Sequence, residues 1–298
     1  MVLVTGGAGV VGSRLVKSLI EKGSEVRVLA LPGDGAADRV KKLGAEVWLG
    51  DVSDPKTIFG ICKGVDTVYH LAAIIIAQDD RHYDRINAGG TAHIVAEAVR
   101  ESVGHFILVS SASVIYPKPT TYSLSKKKAE DIVVKSGLNY TIVRPTLVVE
   151  KNGGQEFLMF LDYLRKFWVV PFVGSGAALK RPVFTDDVMN GLLLLLNNKI
   201  TYNKVYNFSG AESISIYNFA KFCLILTGQE YKPVIRIPVR ICMVLSEMLK
   251  MCLKNPPLNW QVIAGMTQDA DLDPQDAIDD LGYQPRRVSE FLPKCIQQ

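Results

Sequence analysis

The chain has 298 residues, 48% of them hydrophobic, with 34 lysines and arginines against 30 acidic residues and a formal net charge of +4. That much core material excludes a disordered chain and suits one large α/β domain, or a nucleotide-binding domain with a smaller partner. The small charge excludes the broad basic field that draws a protein onto nucleic acid.

Taken in chain order, Val2–Thr5 opens as an apolar strand without the basic start, apolar stretch and cleavage site of a signal peptide, so a cytoplasmic protein is expected. Short β-branched runs at Glu25–Leu29, Glu46–Gly50, Thr67–Leu71, His105–Ser111 and Tyr140–Val149 predict further strands. Helical spacing fills the intervals at Gly12–Lys22, Pro55–Cys62, Tyr83–Ser102 and Tyr122–Ser136, with Asp54 before Pro55 as an N-cap and first-turn proline. Such alternation predicts an α/β fold, a Rossmann-type doubly wound parallel sheet. Beyond Glu150 the rhythm lengthens, and the chain is expected back at the sheet near Pro182–Phe184 and Val205–Phe208. The expected division is therefore 1–148 plus about 182–210 as the cofactor domain, and 149–181 plus 211–298 as a smaller, discontinuous substrate domain.

Five cysteines, Cys62, Cys223, Cys242, Cys252 and Cys295, form no C-x-x-C pair, and the four histidines lack ligand spacing. Buried, reduced thiols and no metal site are expected. No run reaches membrane-spanning length. Val239–Leu253, flanked by Arg236, Arg240, Lys250 and Lys254, reads as a helix packed on its own domain. Its basic edge and Met-rich face also suit a lipid surface or a greasy substrate.

Thr5-Gly6-Gly7-Ala8-Gly9-Val10-Val11-Gly12 stands between the first strand and the first helix. Glycines at 6, 9 and 12 let the backbone turn tightly and approach a pyrophosphate, whose charge the amide N–H groups and the helix dipole then hold. No Gly-Lys-Ser/Thr follows, which argues against a P-loop. The end of the second strand is Ala30-Leu31-Pro32, neither the acid that selects NAD nor the arginine that accommodates NADP. Asp34 lies near enough for a ribose hydroxyl and Arg39 for a phosphate; the cofactor is read as NAD, with NADP not excluded.

Tyr122-Ser123-Leu124-Ser125-Lys126 sets a phenol and an ammonium on one helical face. A neighbouring lysine and an oxidised nicotinamide both favour phenolate and bring the tyrosine toward useful acid–base range. Tyr217 and Lys221 repeat the interval, so spacing alone decides nothing. Position does: Tyr122 follows the fifth strand, whose end carries Ser110, Ser111 and Ser113, at the sheet edge where open α/β folds bind ligands. Ser111 is the expected hydroxyl, with Ser110 and Ser113 as rivals.

With these motifs in place the chain resembles the extended short-chain dehydrogenase/reductase family, in its NAD-dependent epimerase/dehydratase group, nearly end to end. Gly6–Gly12 look like its cofactor turn, Gly50-Asp51-Val52 like its adenine contact and His70-Leu71-Ala72-Ala73 like the strand end under the cofactor. Asn87-Ala88-Gly89-Gly90-Thr91 is similar to its Asn-Val-x-Gly-Thr, and Ser111, Tyr122 and Lys126 match its catalytic triad. Arg144-Pro145-Thr146 resembles the segment after the next strand, placing Pro145 by the cofactor. Arg181–Val188, Val205–Gly210 and Leu281–Pro285 resemble substrate-domain signatures. The resemblance implies that Arg181 holds a substrate diphosphate, against the plainer reading of an ion pair with Asp186 or Asp187. It also implies a homodimer through the helices at Tyr83–Ser102 and Tyr122–Ser136.

Three departures stand out. Only ten residues separate Ser111 from Tyr122, Leu147-Val148-Val149-Glu150 replaces Asn-x-Tyr-Gly, and the second-strand acid is missing. The leading expectation is transient oxidation of a sugar hydroxyl, on a nucleotide carrier, followed by epimerisation or dehydration. A one-way dehydrogenase or ketone reductase on a hydrophobic alcohol, of the hydroxysteroid or dihydroflavonol kind, is the alternative that Leu147 and the apolar 239–253 segment favour. A non-catalytic dinucleotide-binding module is the third reading, disfavoured by the intact proton relay.

Overall fold

A computed structural model describes residues 1–151, 154–253 and 256–296. The first half alternates β1 (Val2–Thr5), α1 (Val10–Glu21), β2 (Val26–Ala30), α2 (Ala36–Lys42), β3 (Glu46–Leu49) and β4 (Thr67–His70). Next, α3 (Arg81–Tyr83) runs through a π-helical stretch, Asp84–Gly89, into α4 (Gly90–Arg100), followed by β5 (His105–Val109), α5 (Thr121–Val134) and β6 (Tyr140–Pro145). The second half holds β7 (Val148–Val149), α6 (Gln155–Lys166), β8 (Val170–Val173), β9 (Leu179–Lys180), β10 (Val183–Phe184), α7 (Thr185–Leu194) and β11 (Lys204–Phe208). It ends with β12 (Ile214–Ser215), α8 (Ile216–Leu226), β13 (Val234–Ile237), α9 (Val239–Cys252), α10 (Trp260–Thr267), α11 (Gln275–Leu281) and α12 (Val288–Ile296).

Seven strands form one sheet in the order β11-β6-β5-β4-β1-β2-β3, every pair parallel. The alternation of strand side chains explains why it is covered twice. Val2 and Val4 enter a core with Leu15, Val16 and Leu19 of α1, whereas Leu3 between them enters the opposite core with Ile94 of α4 and Val133 of α5. The chain leaves β1 toward β2 on one side and returns to β4 on the other, so a crevice opens at the carboxyl ends of β1 and β4.

A third core joins Phe157 and Leu161 of α6, Phe172 of β8, Phe219 and Leu224 of α8, and Phe291 of α12. Three two-stranded sheets, β7 with β10, β8 with β13 and β9 with β12, frame it.

Four expectations need correction. Pro55–Cys62 is not a helix but a chain of turns, in which Thr57 Oγ1 takes the Asp54 carbonyl at 2.8 Å and Gly60 adopts φ +84°. A side chain competing for helix acceptors and a left-handed glycine together end the ladder. The strand predicted over Tyr140–Val149 breaks after Pro145, which has no N–H to continue it, and Val148–Val149 pairs instead with β10. The return expected at Pro182–Phe184 therefore reaches β7 and not the main sheet, while Val205–Phe208 does return, inside β11. Cys62, Cys223 and Cys242 are buried as expected, but Cys252 is exposed on α9. Helix α2 was not foreseen.

Candidate active site

Gly6 sits at φ +69°, and a Cβ there would lie 2.8 Å from the backbone nitrogen of Ala72. At Gly12 a Cβ would come within 2.2 Å of the Gly6 carbonyl oxygen and 2.8 Å of Gly7 Cα. The turn thus folds onto itself and onto the end of β4 because neither position carries a side chain. Gly9 caps α1 without a side-chain hydrogen bond, so the first amides of Val10 and Val11 keep their donors, and Val10 is exposed. A backbone cradle at a helix N-terminus, closed to side chains, fits a dinucleotide pyrophosphate.

Around it, Leu71 N donates to Thr5 O at 3.1 Å and Ala72 N to Thr5 Oγ1 at 3.2 Å, which fixes the segment leading to Ala73. His70 is spanned by Thr5 Oγ1 at 2.7 Å and Thr91 Oγ1 at 3.0 Å, and burial pushes its imidazole down to about 3, so it stays neutral. Asn87 receives the Ile74 amide on Oδ1 at 2.8 Å and donates to Ser125 Oγ at 3.0 Å. It therefore ties the loop after β4 to α5. Asp34 accepts the Ala36 amide at 2.8 Å beside the end of β2, and Asp51 accepts that of Ser53 at 2.8 Å. Val52 packs so closely on α4 that a Cβ on Gly90 would meet its Cγ2 at 2.7 Å. Pro145 ends β6 beside Phe208 of β11.

Helix α5 starts in a capping box: Thr120 Oγ1 accepts from Ser123 N at 3.1 Å and Ser123 Oγ accepts from Thr120 N at 2.7 Å. The short connection from β5 is pinned from outside by α10 and the residue after it. Trp260 Nε1 donates to Pro119 O at 3.1 Å, and Gln268 both donates to Lys118 O at 2.7 Å and accepts from Lys118 N at 2.8 Å. Deeper in α5, Glu130 takes the Arg144 guanidinium in a two-pronged pair at 2.8 and 2.7 Å.

Tyr122 and Lys126 follow that cap on one face. The Lys126 side chain is 3% exposed, its Nζ donates to Val109 O at 2.8 Å, and burial pushes it down to about 8. One acceptor leaves donors of a buried ammonium free for a ligand hydroxyl. Tyr122 is half-buried, edge-on to Tyr83 at 5.8 Å. Burial, together with the Glu156 carboxylate, raises its phenol above the ordinary value, and a hydrogen bond with Ser111 acts in the opposite direction. Desolvation, not the expected lowering by Lys126, thus dominates, and the phenol stands protonated. Of the rival hydroxyls, Ser111 Oγ accepts from Ser113 N at 3.2 Å and lies 3.0 Å from Ser113 Oγ, while Ser110 Oγ is buried with no partner among the described residues.

Three further groups near Tyr122 had no signal in the sequence. The Glu156 carboxylate acts electrostatically on Tyr122, and Lys180 on β9 donates to Tyr116 OH at 3.4 Å and to Gln268 O at 2.6 Å. Arg181 is not paired with Asp186 or Asp187. Its Nε donates to Asp271 at 2.5 Å, while Asp186 takes Arg14 and Asp187 takes Arg286. Glu150, at the departure from the family pattern, also takes Arg14. Tyr217 packs on the third core, its ring against Phe172 at 5.9 Å and under Arg236 at 4.4 Å.

The family model described as NAD(P)H-binding matches residues 6–162. The ceramide reductase of Caulobacter vibrioides is 34% identical over 54% of this chain, and the aligned part spans only half of that relative's length. The 3 beta-hydroxysteroid dehydrogenase/Delta 5→4-isomerase of Mycobacterium tuberculosis is 27% identical, covering 99% of this chain and 89% of that protein. Among solved structures, the dTDP-glucose 4,6-dehydratase DesIV of Streptomyces venezuelae superposes with a TM-score of 0.78 at 22% identity, covering 100% of this chain and 96% of that one. That likeness shows the fold. The chain belongs to the NAD(P)H-binding family.

Proposed function

We propose that the chain is a one-way dehydrogenase or ketone reductase acting on a lipophilic alcohol or its ketone. The observation that carries this is the Arg181–Asp271 pair: the guanidinium best placed to hold a substrate diphosphate already has a carboxylate partner. Leu147 in place of an amide, and relatives named for a ceramide and a hydroxysteroid, support the same reading. The second reading, transient oxidation of a nucleotide-linked sugar, has the likeness to DesIV in its favour and requires Arg181 to exchange Asp271 for substrate.

In either case the nicotinamide, when bound, would supply the hydride chemistry. Gly6, Gly9, Val10, Val11 and Gly12 would hold the pyrophosphate through backbone amides. Asp34 would meet the adenosine ribose, Asp51 and Val52 the adenine, and Leu71, Ala72, Ala73, Asn87 and Pro145 the nicotinamide side. Lys126 would donate to the nicotinamide ribose. Tyr122, protonated, gives its proton to the substrate oxygen in reduction, or, as phenolate, takes that proton in oxidation, while Ser111 bonds that oxygen. Ser113 steadies Ser111 at the edge of the substrate, and Arg181 lines the substrate side from residues 149–181. The cofactor is NAD in this reading, with NADP open because Ala30-Leu31-Pro32 offers neither selecting residue.

Helices α4 and α5 lie side by side and enclose an outer groove of about 430 Å³ lined by Ala88, Ala92, Lys128 and Ile132. This is the face on which a homodimer would form, and light scattering at micromolar concentration tests it. The activity is tested by following NAD(P)H with a panel of sterol-type and long-chain alcohols and ketones beside nucleotide sugars. Stoichiometric production or consumption with the lipophilic set is the expected result; sugar interconversion without net NAD(P)H would overturn it.

A further inference from the structure

Helix α9 is amphipathic the wrong way round for a helix that only serves its own core. Among its described contacts it buries Cys242 and Ser246, the former against Val173 and Ile263. Ile241, Val244, Leu245 and Met248, spaced i, i+3, i+4 and i+7, all face solvent, with Val244 60% and Met248 59% exposed. Met251 extends the stripe at 88%. So continuous an apolar face is unusual on a water-facing surface.

The face continues beyond the helix. Tyr163 donates its OH to Pro171 O of β8, the strand whose Val173 packs on Cys242; the Tyr163 ring meets Phe167 at 5.6 Å, and Trp168 beside it is 85% exposed. Tyr231 and Ile235 are exposed on the neighbouring strand and its approach, β13 being paired with β8. Aromatic side chains with a polar tip around an aliphatic stripe are the composition of a membrane-interface belt.

Charge selects the occupant. Lys250 and Glu247 pair with each other at 2.7 Å, which leaves Arg165, Lys166, Arg236 and Arg240 exposed around this face against Asp162 and Glu230. A cationic rim around an apolar centre complements anionic headgroups over acyl chains, and it would repel a second copy of itself across a two-fold axis. The helix has 14 residues, and no helix among the described residues is long and apolar enough to cross a membrane, so it would lie in the interface.

We infer that α9 and the Phe167–Trp168 edge dock this chain on an anionic lipid surface. The surface is one element away from the chemistry: α9 packs on α10, and Trp260 and Gln261 of α10 hydrogen-bond Pro119 and Thr121, next to Tyr122. Docking there sets the mouth of the site at the bilayer, where a lipophilic alcohol is concentrated. The inference goes beyond the proposed activity and has a readout independent of it.

The test is co-sedimentation of the full chain with vesicles of phosphatidylcholine mixed with phosphatidylglycerol, and with phosphatidylcholine alone. Wild type is expected on the mixed vesicles and to be released by salt, with Val244→Glu/Met248→Glu lowering the partition about tenfold or more. Met251→Glu, at an almost fully exposed position, is the second variant, and an unchanged Tm shows that either one folds. Three results would overturn the docking: no binding by wild type, equal binding by the folded variants, or light scattering in which these variants split an oligomer while wild type ignores vesicles. Loss of vesicle binding with unchanged turnover of a water-soluble alcohol supports it; vesicle binding without turnover of any alcohol or ketone supports docking and removes only the proposed activity.

Discussion

Helices α5 and α8 each carry a tyrosine and, four residues on, a lysine, and the two pairs have opposite surroundings. Lys126 is buried against the end of β5, bonded to Val109 O and pushed down to about 8. Lys221 lies over the ring of its own Tyr217 at 6.0 Å, with Arg236 on the same ring at 4.4 Å. Tyr122 is hydrogen-bonded with Ser111 and feels the Glu156 carboxylate, whereas Tyr217 packs edge-on to Phe172. The interval makes the pair; the carboxyl edge of a parallel sheet makes it a candidate for chemistry.

The contrast can be broken at its support first. Gly12→Val forces a Cβ into the Gly6 carbonyl, so cofactor binding measured by NAD(P)H fluorescence is expected to disappear and turnover with it. Arg144→Ala leaves the buried Glu130 carboxylate that anchors α5 with only Lys127 at 3.6 Å, and should cost about 3 kcal/mol in urea denaturation. Lys126→Met removes the buried ammonium and should lower kcat about a hundredfold, while Lys221→Met leaves it within about twofold.

The pH profile sharpens the same comparison. Burial lowers Lys126, so its charged form is complete below about 8 and is lost as pH rises through that value. Ketone reduction is therefore expected to fall, approaching about tenfold per unit, above pH 8. A flat profile there would detach Lys126 from the reaction. His70, held near 3, should contribute no limb in the neutral range.

What could be read from the sequence was local or periodic. The glycine turn is written in one octapeptide, and the parallel sheet in apolar runs that needed only their period. The helix predicted at Pro55–Cys62 failed because Thr57 and Gly60 offered the backbone other partners. The expected lowering of Tyr122 by Lys126 was outweighed by desolvation, which no spacing encodes. The Asp271 partner of Arg181 is 90 residues away, and the Tyr116–Lys180 contact spans 64, so both appear only when the chain closes. The interval between Tyr217 and Lys221 carries the opposite lesson: a pattern fully legible in the sequence that the fold puts to structural use.

Paired measurements of Tyr122→Phe and Tyr217→Phe, with kcat and cofactor Kd from the same preparations, bear most directly on the assignment of proton chemistry to α5. Tyr122→Phe is expected to lose about 10³-fold or more in kcat with cofactor affinity within about tenfold of wild type, and Tyr217→Phe to change neither. Undiminished turnover in Tyr122→Phe would contradict that assignment.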